Sequence, residues 1–444
     1  MALNVEYQWL DSHSGLPVDN VTAAEIGIQI NGMSLSFADD IRTRTTRNTI
    51  RVSGYRLACW IVDNWWRLRY EAEHDTVDWR LAHEMPAAGG GFAWPPISLH
   101  GDVDAVRWIV GESHEDSVLP VHYGRPRAVE VSGYDHEEGL SRFVSAVVDR
   151  LHEHSTHPDI AEPYQMLAIV WHEVERERVD SSDRAWRRIE AMLGCDPDAA
   201  ESAQVESLVQ MSKQYGEKSI AEVASYLQAG AEEATRQFLD VASSITDTMD
   251  LSILDSTRAS FQQSDPAAPT RAAWQLAEEQ AALVRTVMGI THGRVSTERL
   301  TEPFDASASV VEEAEGMPEI QFSGAVSSES DSQVTPVLPA TRLTGRRFSL
   351  GRLIGDRIYS TKHDRILPIT NTYTRRQQFQ RAFSQSLLCP ADELMDYVGN
   401  QRNRIDTELM ERAAEHFQVS PLMVQSILIN KHLIERPLVY ELVP

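Results

Sequence analysis

Forty residues of this chain reverse the charge of all the others. Between Arg342 and Arg381, ten Lys and Arg stand against two acids, Asp356 and Asp364, a local balance of +8 in a protein whose formal net charge is −25. The remainder therefore carries −33, and the segment just upstream, Glu302 to Asp331, holds eight acids and no Lys or Arg. So dense a cationic stretch has two physical outlets. Its guanidinium groups face an anionic partner, or they are neutralised inside the molecule. The acidic remainder argues against a generally basic coat for nucleic acid or membrane, which leaves a local anion site as the first expectation.

The other constraints are broader. At roughly 150 residues per domain, 444 residues predict several domains, and 42% hydrophobic with 24% charged residues is ordinary globular composition. Cys59, Cys195 and Cys389 are odd in number and widely spaced, which excludes a disulfide framework and a Cys-x-x-Cys zinc site. Met1 to Leu10 lacks the basic and apolar regions of a signal peptide. No apolar run approaches the ~20 residues that span a bilayer, so no membrane association and a cytoplasmic location are expected.

Local patterns divide the chain and predict an α+β, predominantly helical fold. Ile26, Ile28 and Ile30 alternate, Asn31-Gly32 follows, and Met33, Leu35 and Phe37 alternate again, which is the pattern of a hairpin on a type I′ turn. A helix with Leu57, Trp60, Ile61 and Trp65 on one face comes next. Residues 1–136 read as an α+β domain, and 137–265 as a helical domain, from the spacing of Leu140, Phe143, Val144, Val147 and Leu151 onward. Residues 266–340 read as an entry helix around Trp274 followed by a Ser-rich, acidic linker over 301–335. Residues 341–444 form the last domain, in which Ser420-Pro421 starts a helix as N-cap and first-turn proline.

In that last domain, Arg347 to Ile358 (Arg-Phe-Ser-Leu-Gly-Arg-Leu-Ile-Gly-Asp-Arg-Ile) resembles the active-site helix of the ImmA/IrrE family of zinc metallopeptidases, which reads Arg-Phe-Thr-Leu-Ala-His-Glu-Leu-Gly-His. Phe379 to Pro390 resembles the second motif of that family. Ala413 to Ile434, with Phe417, Val419, Ser420 and Val424, is similar to the small helix-turn-helix-like element that follows it, and Trp274 to Leu300 looks like its entry segment. The resemblance covers roughly 270–435 and implies a zincin-like fold. In the family, two His one helical turn apart and a Glu from the second motif hold zinc, and the Glu beside the first His activates the bound water. Here those positions are Arg352, Leu353, Asp356 and, for the third ligand, Gln377 or Phe379. None is a zinc ligand set, so the resemblance implies a degenerate member, a pseudo-peptidase without catalytic residues, metal or cofactor.

Rival sites are weaker. No strict His-Glu-x-x-His occurs. His152, His154 and His157 are the one histidine cluster, but their spacing suits a helix terminus better than a metal. Gly89-Gly90-Gly91 lacks a following Gly-Lys-Ser/Thr, and Gly216-Glu-Lys218-Ser219 lacks the glycine spacing of a phosphate loop, so both read as turns or breaks. The segment Trp171 to Arg178 reads as the charged outer face of a helix. Trp60, Trp65, Trp66 and Trp79 with Arg67 and Arg69 read mainly as core, with Trp66 and the two Arg left as candidates for a nucleic-acid-stacking surface.

The expected site is therefore an anion- or partner-binding groove lined by Arg346, Arg347, Arg352, Arg357, Arg375, Arg376 and Arg381, with the acidic 302–331 segment lying over it. The expected function is a non-catalytic regulatory or sensor protein binding a protein partner, or nucleic acid through residues 342–381. By resemblance its setting is bacterial stress, phage defence or mobile elements. The alternatives are a metal-dependent hydrolase with ligands outside the vestigial motif, and a DNA-binding transcriptional regulator reading DNA through Ser420 to Asn430. Only Lys431 and His432 are basic near that helix, which weakens the last.

Overall fold

The computed structural model describes residues 2–13, 15–41, 43–111, 121–124, 126–263, 271–313, 316–328, 332–399 and 405–435. The fold is α+β and predominantly helical. Strand β1 (Leu3–Trp9) leads through a short helix, α1 (Pro17–Val21), into β2 (Ala23–Ile30), and the two strands pair antiparallel from Leu3 opposite Ile30 to Trp9 opposite Ala24. Ala24, Ile26, Ile28 and Ile30 are all buried, as a strand period of two requires. Asn31 and Gly32 both take positive φ, 54° and 76°, and turn the chain into β3 (Met33–Ser34). The expected hairpin forms, but its second arm is short. The central strand β2 pairs instead with β1 and with β6 (Ile50–Ser53), while β4 (Ala38–Asp40) and β5 (Thr45–Arg47) begin a separate small sheet.

Ser53 caps α2 (Gly54–Asp63) by accepting from the Arg56 amide, and α3 (Trp65–Tyr70) and α4 (Val77–His83) follow. The four tryptophans of this stretch are buried, and so are Arg67 and Arg69, which corrects the idea of a stacking surface. Arg67 pairs with Glu71, Asp78 and Asp196. Arg69 reaches Glu137 and the carbonyls of Asp102 and Val103, and the Trp66 indole donates to Glu177. Gly89, Gly90 and Gly91 all have positive φ and make a turn. An antiparallel sheet of β7 (Ile97–Gly101), β8 (Ala105–Val110) and β10 (Arg127–Ser132) runs in the order β10-β8-β7, and β9 (Val121–Tyr123) pairs back to β4.

Helices α5 (Gly133–Glu153), α6 (Pro158–Val179), α7 (Ser181–Met192), α8 (Ser202–Tyr215), α9 (Glu217–Leu227) and α10 (Ala231–Ser244) come next. The boundary expected at residue 136 does not separate two cores, because the apolar stripe of α5 lies on β1 and α2. Gly139 allows that approach, since a Cβ there would sit 2.7 Å from the Leu3 side chain. One apolar cluster runs from Leu3 to Ala242. The acidic run on α6 is only partly an outer face, because Glu177 is buried and paired with Arg187.

A second cluster begins at Met249. It is built from α11 (Asp255–Gln263), α12 (Ala273–Val287), α13 (Thr297–Thr301) and α14 (Ser309–Glu312), then α15 (Leu343–Tyr359), α16 (Arg375–Leu388), α17 (Ala391–Val398), α18 (Thr407–Phe417) and α19 (Pro421–Asn430). Between the clusters stands an antiparallel sheet of order β11-β13-β12-β14, formed by β11 (Met249–Asp250), β12 (Ser323–Ser327), β13 (Gln333–Val337) and β14 (Ile366–Ile369). Its side chains alternate between the two cores: Val337 and Ile366 join the first, whereas Val334, Ala325, Leu367 and Ile369 join the second. A sheet buried on both faces reads as a continuous apolar run, which β14 shows.

This partition corrects the expected linker at 301–335. Among its apolar residues Phe304, Val311, Ile320, Phe322, Ala325 and Val334 are buried and Val310, Met317 and Val326 half-buried, and two of its stretches enter sheet strands. Low apolar content misleads here because Gly324 and Ala325 bury backbone rather than bulk. A Cβ on Gly324 would lie 2.6 Å from the Leu367 carbonyl oxygen. Gly324→Ala is therefore expected to lower stability by about 1–3 kcal/mol. Gly230→Ala, with nothing within 4 Å of the new methyl, serves as the control and is expected to be neutral. Urea midpoints of the two variants check this, and an unchanged Gly324→Ala would return the segment to linker status.

Candidate functional site

Helix α15 carries four arginines and is nonetheless buried from Arg346 to Tyr359 apart from the half-buried Phe348. Two glycines one turn apart, Gly351 and Gly355, turn to α16, where a Cβ on Gly355 would lie 2.8 Å from the Phe383 ring. At its C-terminal end the side-chain amide of Gln262 donates to the carbonyls of Ile358, Tyr359 and Ser360. Across the helix pair, Asp356 and Arg376 form a bidentate ion pair, with Nε and Nη2 each 2.7 Å from a carboxylate oxygen. Asp356 is wholly buried and Arg376 nearly so, and the carboxylate holds the Arg376 pKa above its ordinary value against the desolvation that opposes it.

One turn before Asp356, Arg352 has no carboxylate partner among the described residues. Its Nη2 donates to the Thr370 carbonyl at 2.6 Å, to Gln377 Oε1 at 2.6 Å and to Gln380 Oε1 at 3.3 Å. Both glutamine amides are aimed by the same acceptor, since each Nε2 donates to the Pro368 carbonyl, at 3.1 and 3.0 Å. Burial, with the neighbouring charge of Arg381, brings the Arg352 pKa down to about 9. The structure thus brings Arg352 and Gln377, two of the positions picked out by the family resemblance, into direct contact, whereas the other two are engaged elsewhere. Asp356 is saturated by Arg376, and Leu353 turns into the second apolar cluster. The zinc ion that the resembled family holds does not fit these residues. A guanidinium repels a cation, a leucine offers no donor, and the single carboxylate is already paired.

The other candidate arginines are engaged as well. Arg346 donates to the carbonyls of Val311, Glu312, Ala340 and Thr341. Arg347 donates to Val295 O, Gln418 O and Thr297 Oγ1, and burial lowers its pKa to about 10. Arg357 pairs with Asp255 at 2.8 Å. Arg375 pairs with Glu130 at 2.5 Å and donates to the Arg271 carbonyl. Only Arg381 is partly open, with one Nη on the Thr372 carbonyl and its guanidinium 5.4 Å from the Tyr373 ring centroid. An open groove lined by seven arginines is therefore corrected: six are buried, half of them on backbone carbonyls and half on carboxylates. Among the described residues the acidic segment touches this region through the backbone oxygens of Val311 and Glu312, while Glu315, Glu329 and Asp331 of the expected cover lie outside the described residues.

What the sequence did not reveal is the polar seam around this pair. Glu222 of α9 accepts from Thr372 and Thr374, at 3.2 and 2.9 Å, and burial raises its pKa to about 7 against the pull of Arg376. Asp104 binds Lys218 Nζ at 2.5 Å and the Tyr359 hydroxyl at 3.0 Å. Asp102 accepts from the Arg375 amide at 2.9 Å. Ser219 donates to Ile366 O, so the Gly216 to Ser219 stretch is a helix break with φ of 105° at Gly216, docked on β14. Of these seam residues the sequence singled out only Arg375, as a candidate groove arginine, and Lys218 and Ser219, in a stretch without the spacing of a phosphate loop. The nearest signal is the run Thr370, Thr372, Thr374, whose alternation places hydroxyls on one side.

Elsewhere, His152 and His154 end α5 and His157 caps α6, with the His152 ring tilted against Tyr164. Among the described residues no group of three His, Cys, Asp or Glu converges as metal ligands would, and no helix is long and apolar enough to cross a membrane. No family model, curated protein or solved structure matches this chain.

Two predictions test the seam. Asp356→Asn, which strands a buried guanidinium, is expected to cost about 3–5 kcal/mol, and the apolar pair Asp356→Leu with Arg376→Met to recover most of it in a double-mutant cycle of denaturation midpoints. Glu222 has a folded pKa above the ordinary glutamate value of 4.5, so the folded state holds its proton longer and loses stability as pH rises from there through about 7. Glu222→Gln is expected to gain stability relative to wild type between about pH 5 and about pH 8, and a pH-independent difference would refute the raised pKa.

Proposed function

We propose that this protein is a non-catalytic regulatory or sensor protein on a pseudo-metallopeptidase scaffold, and that it acts by binding a protein partner. The observation that carries the reading is the contact of Arg352 with Gln377 and Gln380. Where the resembled peptidases would place a metal between two helices, a side-chain cation joins them. The scaffold function of the metal, tying α15 to α16, is retained while its Lewis-acid function has no donors to support it.

A protein partner is favoured over nucleic acid by the distribution of charge. Of the ten cations between Arg342 and Arg381, six are buried and engaged, and only Arg342 and Lys362 are exposed. Duplex binding draws on several phosphate contacts, which this surface does not offer within a chain of net charge −25. The family resemblance supports a bacterial stress or phage-defence setting for such a protein, with holding a partner in place of cutting it.

Elemental analysis of protein purified without chelator or histidine tag tests the reading. Less than about a tenth of an equivalent of zinc, iron or manganese is expected, and about one equivalent would overturn it in favour of a metallohydrolase.

A further inference from the structure

The basic segment ends at one open surface, and it differs from the buried sites around it. Between the first turn of α15, the middle of α16 and the start of α19 lies a groove of 420 Å³. Phe348 and Met423 form its apolar floor, and Leu422, 70% exposed, stands at its edge. Arg342 and Arg381 also line it, and none of its lining residues is acidic, in a chain that has 66 Asp and Glu. Arg342 is exposed and makes no ion pair among the described residues. Arg381 is held in place by the Thr372 carbonyl and Tyr373.

The positive end of a long helix adds to this charge. Arg342 is the N-cap of the 17-residue α15 and supplies no side-chain acceptor, so the first amides of the helix, beside Thr344 and Gly345 of the groove, have no side-chain cap. Uncapped amides and the aligned peptide dipoles favour a carboxylate at such an end. The groove therefore combines an apolar floor, a bulky exposed anchor and cations without counter-charges.

We propose that this groove is the docking site for an acidic amphipathic segment of a partner protein, which sets bulky apolar side chains on Phe348, Leu422 and Met423 and carboxylates on Arg342 and Arg381. The proposal rests on the partner-binding reading and names the chemistry of that partner. Two charged groups cannot hold a duplex, but they suffice to orient a peptide whose affinity comes from apolar burial.

The test uses the full chain and fluorescence anisotropy with a fluorescein-labelled amphipathic dodecapeptide of Leu, Phe and Glu, beside its counterpart with every Glu replaced by Lys. The acidic peptide is expected to bind at least about tenfold more tightly at low salt, with the advantage shrinking as salt rises. Arg342→Glu and Leu422→Glu are each expected to weaken it about tenfold without shifting the melting temperature, because both side chains are exposed. Equal affinity for the two peptides, or an affinity untouched by Leu422→Glu, would overturn the proposal. So would tight binding of a labelled duplex of about 20 base pairs that Arg342→Glu abolishes, which would make the partner nucleic acid. Concentration-dependent dimerisation lost in Leu422→Glu would overturn it as well, since the occupant would then be a second copy. A metal-free protein that ignores the peptide sinks the groove and leaves the scaffold reading intact, whereas a metal-loaded protein that binds it does the reverse.

Discussion

The ion pair between Asp356 and Arg376 is the constraint on which the C-terminal half of this molecule depends. Two full charges are removed from water there, and the desolvation cost is recovered only when both partners meet in bidentate register. Apolar contacts between α15 and α16 tolerate sliding, but this pair does not. It sets α16 so that Gln377 and Gln380 face Arg352, and it brings Phe383 onto the bare backbone of Gly355. The seven-residue arginine series thus divides by role. Arg376, paired with Asp356, fixes the register, Arg352 bridges, and Arg346 and Arg347 anchor the start of α15 to surrounding carbonyls.

The same pair sits beside a seam that joins the two cores. Glu222 comes from the helical region, Asp102 and Asp104 come from the turn between β7 and β8, and their partners Thr372, Thr374, Arg375 and Tyr359 come from the C-terminal region. The β11-β13-β12-β14 sheet faces one core on each side. A change in one half therefore has two routes to the other, through the packing of that sheet and through buried polar contacts that cannot be broken singly without leaving a charge behind.

Much of the local structure was legible in the sequence, because local rules decided it. Asn31-Gly32 turns where its two positive φ angles say it must, Ser420 caps α19, and the Leu140 to Leu151 spacing is a helix. The grouping of elements was not legible. The apolar stripe of α5 is equally compatible with a helical partner and with a sheet, and the folded contacts give it both, β1 together with α2 and α6. The acidic 302–331 segment failed as a linker because strands between two cores need few large side chains. The candidate site failed in an instructive way. A charge count treats arginine as surface, whereas Arg346, Arg347 and Arg352 lie buried on main-chain and amide oxygens, a pairing that leaves no trace in acid–base balance. Gln377 was singled out by resemblance alone and Arg352 by resemblance and charge, and their contact is seen only in three dimensions.

The bridge from Arg352 to α16 also differs from a metal clip in how it responds to its surroundings. A coordinated ion is in exchange with solution, so a clip made of one loosens when the ion becomes scarce, when a chelator competes, or when its ligands take up protons. A cation on its own side chain has no dissociation equilibrium and no concentration dependence. With a pKa of about 9, it also stays charged throughout the physiological range. The two helices are consequently held in one arrangement whatever the metal economy of the cell.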